Sequence, residues 1–180
     1  MPVCSFSQEA PRVVNVTSDS QPGWIPTEEQ QKAVEQTIQR YQQLEDNHQV
    51  EAAFAELADA QQKHFTKAGY EDFLIKYVST GKIIGHKTLA ITWTKDPKGG
   101  PFLGTFAAVD IVSKYEDVDR ECGYLVVYAA PNENVFKIMH EEINRMTNAN
   151  AKAIVEQKSQ VEVDKAWKEL SGRCPNYKNE

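Results

Sequence analysis

The sequence predicts an α+β fold, with N-terminal helices packed on a four-stranded antiparallel meander and a C-terminal helix closing the domain. Three observations predict the α+β order. Apolar residues recur at spacings of three and four before Gly81, the period falls to two from there to about Ile143, and helical spacing returns over 150–170. The 180 residues are 41% hydrophobic and 26% charged, which supports one core and leaves little room for a second. The predicted organisation is a flexible N-terminal arm over 1–25 and a single α+β domain over 26–175.

Residues 1–25 mix Pro, Ser, Asn, Asp and Gln without a sustained period and read as an extended arm. Thr27 then caps a helix whose first turn carries Glu28 and Glu29. Ala33, Ile38 and Tyr41 give it a thin apolar stripe, while Gln30, Gln31, Gln36, Gln39, Gln42 and Gln43 make it polar nearly all round. Such a helix is either marginal or packed on a partner. Asn47-His48 interrupts it. A second helix follows on Val50, Ala53, Phe54, Leu57 and Ala58, and a third over 70–77 on Phe73, Leu74 and Tyr77.

After Gly81, Ile83, Leu89, Ile91 and Trp93 share one parity, and His86, Thr88, Thr92 and Thr94 the other. Turn-rich 96–101 leads to a second strand over 102–115, and 116–119 to a third over 120–129. The chain turns again at 131–134 into a fourth strand over 135–143. Short turns make these neighbours antiparallel. Val163, Ala166, Trp167 and Leu170 form the stripe of the last helix, which Gly172 and Pro175 end.

The stretches Ile91-Thr92-Trp93, Asp96-Pro97, Gly104 to Asp110 and Asp119 to Leu125, with Phe136 and Glu142-Ile143-Asn144 beyond, resemble a bacterial family of exported proteins. That family is catalogued as domain-of-unknown-function family four-zero-one-nine, and the resemblance covers roughly 52–151. It implies a cystatin-like or NTF2-like cone and a periplasmic address. It carries no catalytic residue across.

The charge balance, 26 acidic against 20 basic residues for a net −6, argues against nucleic acid. No apolar run reaches the roughly 18 residues that span a bilayer. Ser5 and Ser7 resemble the last small residues of a signal peptide cleaved before Gln8, with Cys4 then outside the mature chain; the alternative is an ordinary start at Met1. Cys122 and Cys174 then form an even pair suited to one structural disulfide, against the alternative of two unconnected thiols.

His140-Glu141-Glu142 lacks the second His of a zincin, Gly99-Gly100 lacks the Lys-Ser/Thr of a P-loop, and no nucleophile elbow is present. No metal or cofactor is expected. Asp110 interrupts an apolar strand, where a carboxylate must be paired, hydrated or shifted. Its structural reading is an ion pair with Arg120. Its functional reading is the polar group of a pocket walled by Trp93, Tyr124, Tyr128 and His140. Trp93 and Trp167 read first as core anchors, and Glu141, Glu142 and Arg145 as a solvated rim. The function expected is therefore a periplasmic or secreted, non-enzymatic binding or protein-interaction module, with a homodimer or another protein as partner. The alternative is a small-molecule-binding or enzymatic cone using a pocket near Asp110 and Trp93.

Overall fold

A computed structural model of the chain describes residues 14–78 and 81–178, with the side chains of all but 76–78. The expectations placed on Cys4, Ser5 and Ser7, and on the Tyr77 side chain, lie outside the described residues. The element order is β1 (Asn15–Val16), α1 (Glu28–Asp46), α2 (Val50–Glu56), α3 (Asp59–His64), α4 (Lys67–Val78), β2 (Ile83–Lys95), β3 (Thr105–Tyr115), β4 (Val118–Ala129), β5 (Lys137–Thr147), α5 (Asn148–Gln157) and α6 (Gln160–Ser171).

Helix α1 starts on a capping box. The Thr27 hydroxyl accepts from the Gln30 amide at 3.2 Å, and the Gln30 side chain accepts from the Thr27 amide at 3.1 Å. It ends at Asn47, and His48 turns the chain with φ +53°. Beyond α2, Leu57 bridges Ile138 and the Ala58 amide donates to the Ile138 carbonyl at 2.8 Å, tying the helical layer to the edge of β5.

The sheet has the order β1-β2-β3-β4-β5. It holds five strands, not four, and is mixed, because β1 runs parallel to β2. The extra strand comes from the segment expected to be a free arm. The Thr17 amide donates to Trp93 O at 2.9 Å, the Gln21 amide to Lys95 O at 2.8 Å, and the Trp24 ring lies 6.5 Å from that of Trp93. Backbone pairing and aromatic burial thus hold 15–24 on the sheet despite their polar composition.

The other pairs are antiparallel. A Glu116-Asp117 turn sets the β3–β4 register, placing Asp110 opposite Tyr124. Gly123 is required by the close approach of β5, since a Cβ there would lie 2.2 Å from the Glu142 carbonyl oxygen. Register shifts mark bulges: β2 carries extra residues at Ile84 and Leu89, and β5 carries one at Met139.

One face of the sheet is covered by α1, α2 and α4. Its core joins Val34, Ile38, Tyr41 and Leu74 to Trp93, Val109, Leu125 and Ile138. The other face is covered at one end only, where Val163 and Trp167 of α6 meet Cys122 and Met146. The sulfur atoms of Cys122 and Cys174 lie 2.05 Å apart, at disulfide distance, and fasten the tail to β4. The single C-terminal helix expected over 150–170 is two: Thr147 caps α5 through the Asn150 amide, and the non-helical Lys158 separates it from α6.

Candidate functional site

The helix-covered face is apolar at one end and polar at the other. At the apolar end Trp93 packs edge-on to Phe136 with ring centroids 6.2 Å apart. At the polar end α1 contributes Tyr41, Gln42, Glu45 and Asp46, one turn of helix whose side chains all reach the sheet side. Strands β2 to β5 add His86, Ser113, Tyr115, Glu121, Glu141 and Arg145. Gln42, Glu45 and these strand residues line a cavity of about 20 Å³, enough for one water-sized group.

Glu45, only 8% exposed, is hydrogen-bonded to the Glu141 carboxyl. Tyr41 donates to Glu141 Oε2 at 3.0 Å, its hydroxyl lies 2.9 Å from that of Tyr70, and Tyr70 donates to Glu45 Oε1 at 3.5 Å. Desolvation dominates the acidity of both carboxyls; the Glu141 charge raises Glu45 further, and the Glu121 charge raises Glu141. Glu45 is held well above the usual carboxylate range and Glu141 is pushed up to about 7, so the pair keeps a proton at neutral pH. Gln42 lines the same cavity, and its buried side-chain nitrogen has no hydrogen-bond partner among the described residues.

A second network borders the first. His86 Nε2 lies 2.8 Å from Asp46 Oδ2 and His86 Nδ1 lies 2.8 Å from Ser113 Oγ. Tyr115 donates to Asp46 Oδ1 at 3.3 Å, and Glu121 forms a buried ion pair with Arg145, whose guanidinium sits 5.0 Å over the Tyr115 ring. The string Asp46–His86–Ser113 has the order of an orienter, a base and a nucleophile. Ser113 also bonds the Glu121 carboxylate, however, and an alkoxide beside that anion is disfavoured. These groups order the polar end; they do not form an acyl-transfer triad.

The pocket expected from Trp93, Asp110, Tyr124, Tyr128 and His140 is not formed. Trp93 is paired with Ala107 and faces the helices, whereas Asp110, Tyr124, Tyr128 and His140 alternate onto the opposite face. There Tyr124 and His140 rings lie 5.5 Å apart, and Phe106 and Tyr128 rings 4.8 Å apart, as a partly exposed aromatic surface. Nor does Asp110 pair with Arg120. It accepts a hydrogen bond from Asn176 Nδ2 at 2.6 Å, while Arg120 reaches Asp164 at 2.7 Å and Asp119 at 2.9 Å. Arg120 sits nearer the hairpin turn, where α6 supplies a closer carboxylate. Burial raises the Asp110 carboxyl and the Asn176 bond offsets part of that.

The residues of the polar end were missed for a specific reason. Simple alternation sets His86 apart from Ile91 and Trp93, but the bulge at Leu89 shifts the phase, so His86 faces the helices opposite Ser113. The bulge at Met139 does the same for Glu141, giving it the face of Ile138 rather than that of His140. Glu141 and Arg145 are consequently enclosed instead of forming a rim. On α1 a cue was available: Gln42 and Glu45 follow Ile38 at spacings of four and seven, on the apolar stripe itself.

Among the described residues no group of three or more His, Cys, Asp or Glu is placed to hold a metal ion, and no helix is long and apolar enough to cross a membrane. No family model, curated protein or solved structure matches the chain.

Proposed function

We propose that this is an exported small-molecule-binding protein of the cystatin-like or NTF2-like cone class, related to the bacterial family its strand motifs resemble. Its ligand site is the polar end of the helix-covered face. The observation that carries the reading is the buried side-chain nitrogen of Gln42, which has no partner among the described residues, on a residue that lines the same cavity as the proton-sharing Glu45 and Glu141. A purely structural polar core satisfies its donors internally. An unpaired donor beside two carboxyl groups is what a polar ligand group would complete. Export is supported by the Cys122–Cys174 pair, because a disulfide persists in an oxidising compartment.

The test follows the side-chain amide signals of Gln42 by NMR while small hydroxyl, amide and amine compounds are added. Saturable shifts from at least one compound are expected, and Gln42→Leu should weaken the binding of that compound as read by calorimetry. Gln42 signals that no compound moves would overturn the site.

A second reading, a protein-interaction module or homodimer, rests on the opposite face, where Phe106, Tyr124, Tyr128 and His140 stay partly uncovered. Sedimentation of wild type and Tyr128→Glu decides it. A concentration-dependent dimer that the variant abolishes supports this reading, and a monomer in both removes the homodimer.

A further inference from the structure

The polar cavity shares a lining residue with the nearer of two further spaces along α1, and those two share three with each other. An outer groove of about 560 Å³ is lined by Asn15, Gln31, Glu35 and 88–91. It shares Glu35, Thr88 and Ile91 with a middle space of about 90 Å³ against Ile38 and Val109. The middle space shares Gln42 with the inner cavity of about 20 Å³. One stripe of the Gln-rich helix, Gln31, Glu35, Gln39, Gln42 and Glu45, therefore lines the three spaces in turn.

The chemistry changes along that stripe. The inner cavity, lined by Glu45, Glu121 and Glu141, admits one water-sized group, and an ammonium is of that size. Its surroundings favour positive charge: Glu45, Glu141 and Glu121 line it against Arg145 and His86, and Asp46 stands behind His86. Gln42 stands at the junction, where its free N–H seeks an acceptor rather than a second donor. A vicinal amino alcohol carries both an ammonium and a hydroxyl acceptor, and the middle space beyond is lined by Val34, Ile38, Ile91 and Val109 beside Glu35, Gln39 and Thr88.

We propose that the ligand is an aliphatic 1,2-amino alcohol, its ammonium between Glu45 and Glu141 and its hydroxyl accepting from Gln42. The inference rests on the site proposed above and names its ligand class. Binding the ammonium displaces the proton the two carboxyls share, which leaves to solvent. The charge of the complex is thus balanced by one proton released per amine bound.

The experiment uses the full oxidised chain with three probes: ethanolamine, n-propylamine and ethylene glycol. NMR of Gln42 reads occupancy, and calorimetry at pH 6 in buffers of different ionisation enthalpy reads the proton. Ethanolamine is expected to bind about tenfold tighter than propylamine, the worth of one good added hydrogen bond. Proton release should approach one. Gln42→Leu should erase the advantage of ethanolamine over propylamine, and Glu141→Gln should erase the proton release while the fold, read by circular dichroism, persists. Ethylene glycol matching ethanolamine with no proton released would overturn the amine while leaving the site in place. No response of Gln42 to any of the three, or to the wider compound set, would overturn both.

Discussion

Asn176 donates from Nδ2 to Asp110 Oδ2 at 2.6 Å, two residues beyond the cysteine that fastens the tail to β4. The carboxylate that breaks the apolar run of β3 is thereby matched by a residue 66 positions away in sequence. Its partner is an amide, so the bond survives in part if Asp110 is neutral. Asp110→Ala, which leaves the amide unpaired, should cost about 1–3 kcal/mol in urea denaturation. Paired with Asn176→Ala it should show a coupling of about 1 kcal/mol. Paired with Arg120→Ala it should be additive within about 0.5 kcal/mol, because Arg120 bonds Asp119 and Asp164 instead. Coupling to Arg120 with none to Asn176 would reverse the assignment.

Stability should fall as pH rises. Glu45 and Glu141 titrate above their unfolded values, so between about pH 4.5 and 7 the unfolded chain ionises carboxyls that the fold keeps protonated. The native state then binds more protons, which makes the slope of unfolding free energy against pH negative across that window. His86, Glu121 and Arg145 line the same cavity, Asp46 is bonded to His86, and Glu141→Gln replaces none of them. That substitution should therefore flatten the profile, with a gain of about 1–3 kcal/mol at pH 8 relative to pH 4. An equally steep profile in the variant would place the responsible proton elsewhere.

Reduction should loosen the C-terminal third. Cys122 and Cys174 enclose a separation of 52 residues, for which the chain-entropy model gives roughly 4 kcal/mol. Protein prepared under oxidising conditions should resist alkylation at both positions when unfolded, and reductant should lower its melting temperature. Full alkylation of both cysteines without reductant would refute the bond.

Hydrogen exchange should protect the amides of Thr17 and Gln21, which donate to the Trp93 and Lys95 carbonyls. Trp24→Ala should weaken that protection and cost about 1–2 kcal/mol, since it removes the ring contact with Trp93. Free exchange at Thr17 and Gln21 would return 14–25 to the status of a loose arm.

Much of the architecture was legible because it is local. Thr27 with Gln30 announces a helix start, and Asn47-His48 its end. Glu116-Asp117 sets the hairpin register that brings Asp110 opposite Tyr124. What stayed hidden depends on phase or on distant partners. The short β1 has two residues and no periodicity to read; its place comes from the β2 edge it meets. His86 and Glu141 belong to the site only because bulged residues at Leu89 and Met139 reverse their alternation, and a bulge leaves no mark in an apolar count. Glu45 reads as one more surface acid until Tyr70 of α4 and Glu141 of β5 close over it.

The interruptions of β2 also govern how copies of this chain meet one another. Among the described residues β1 covers β2 only at Thr92 and Trp93, leaving the outer ladder groups of 83–91 along a sheet margin. A straight margin of that length would template intermolecular strand pairing. Two extra residues, Ile84 and Leu89, divide it into segments too short and too twisted to propagate, and exposed Lys82 and Lys87 set like charges along it. The irregularity that turns His86 inward thus also guards a concentrated solution of the folded protein against aggregation.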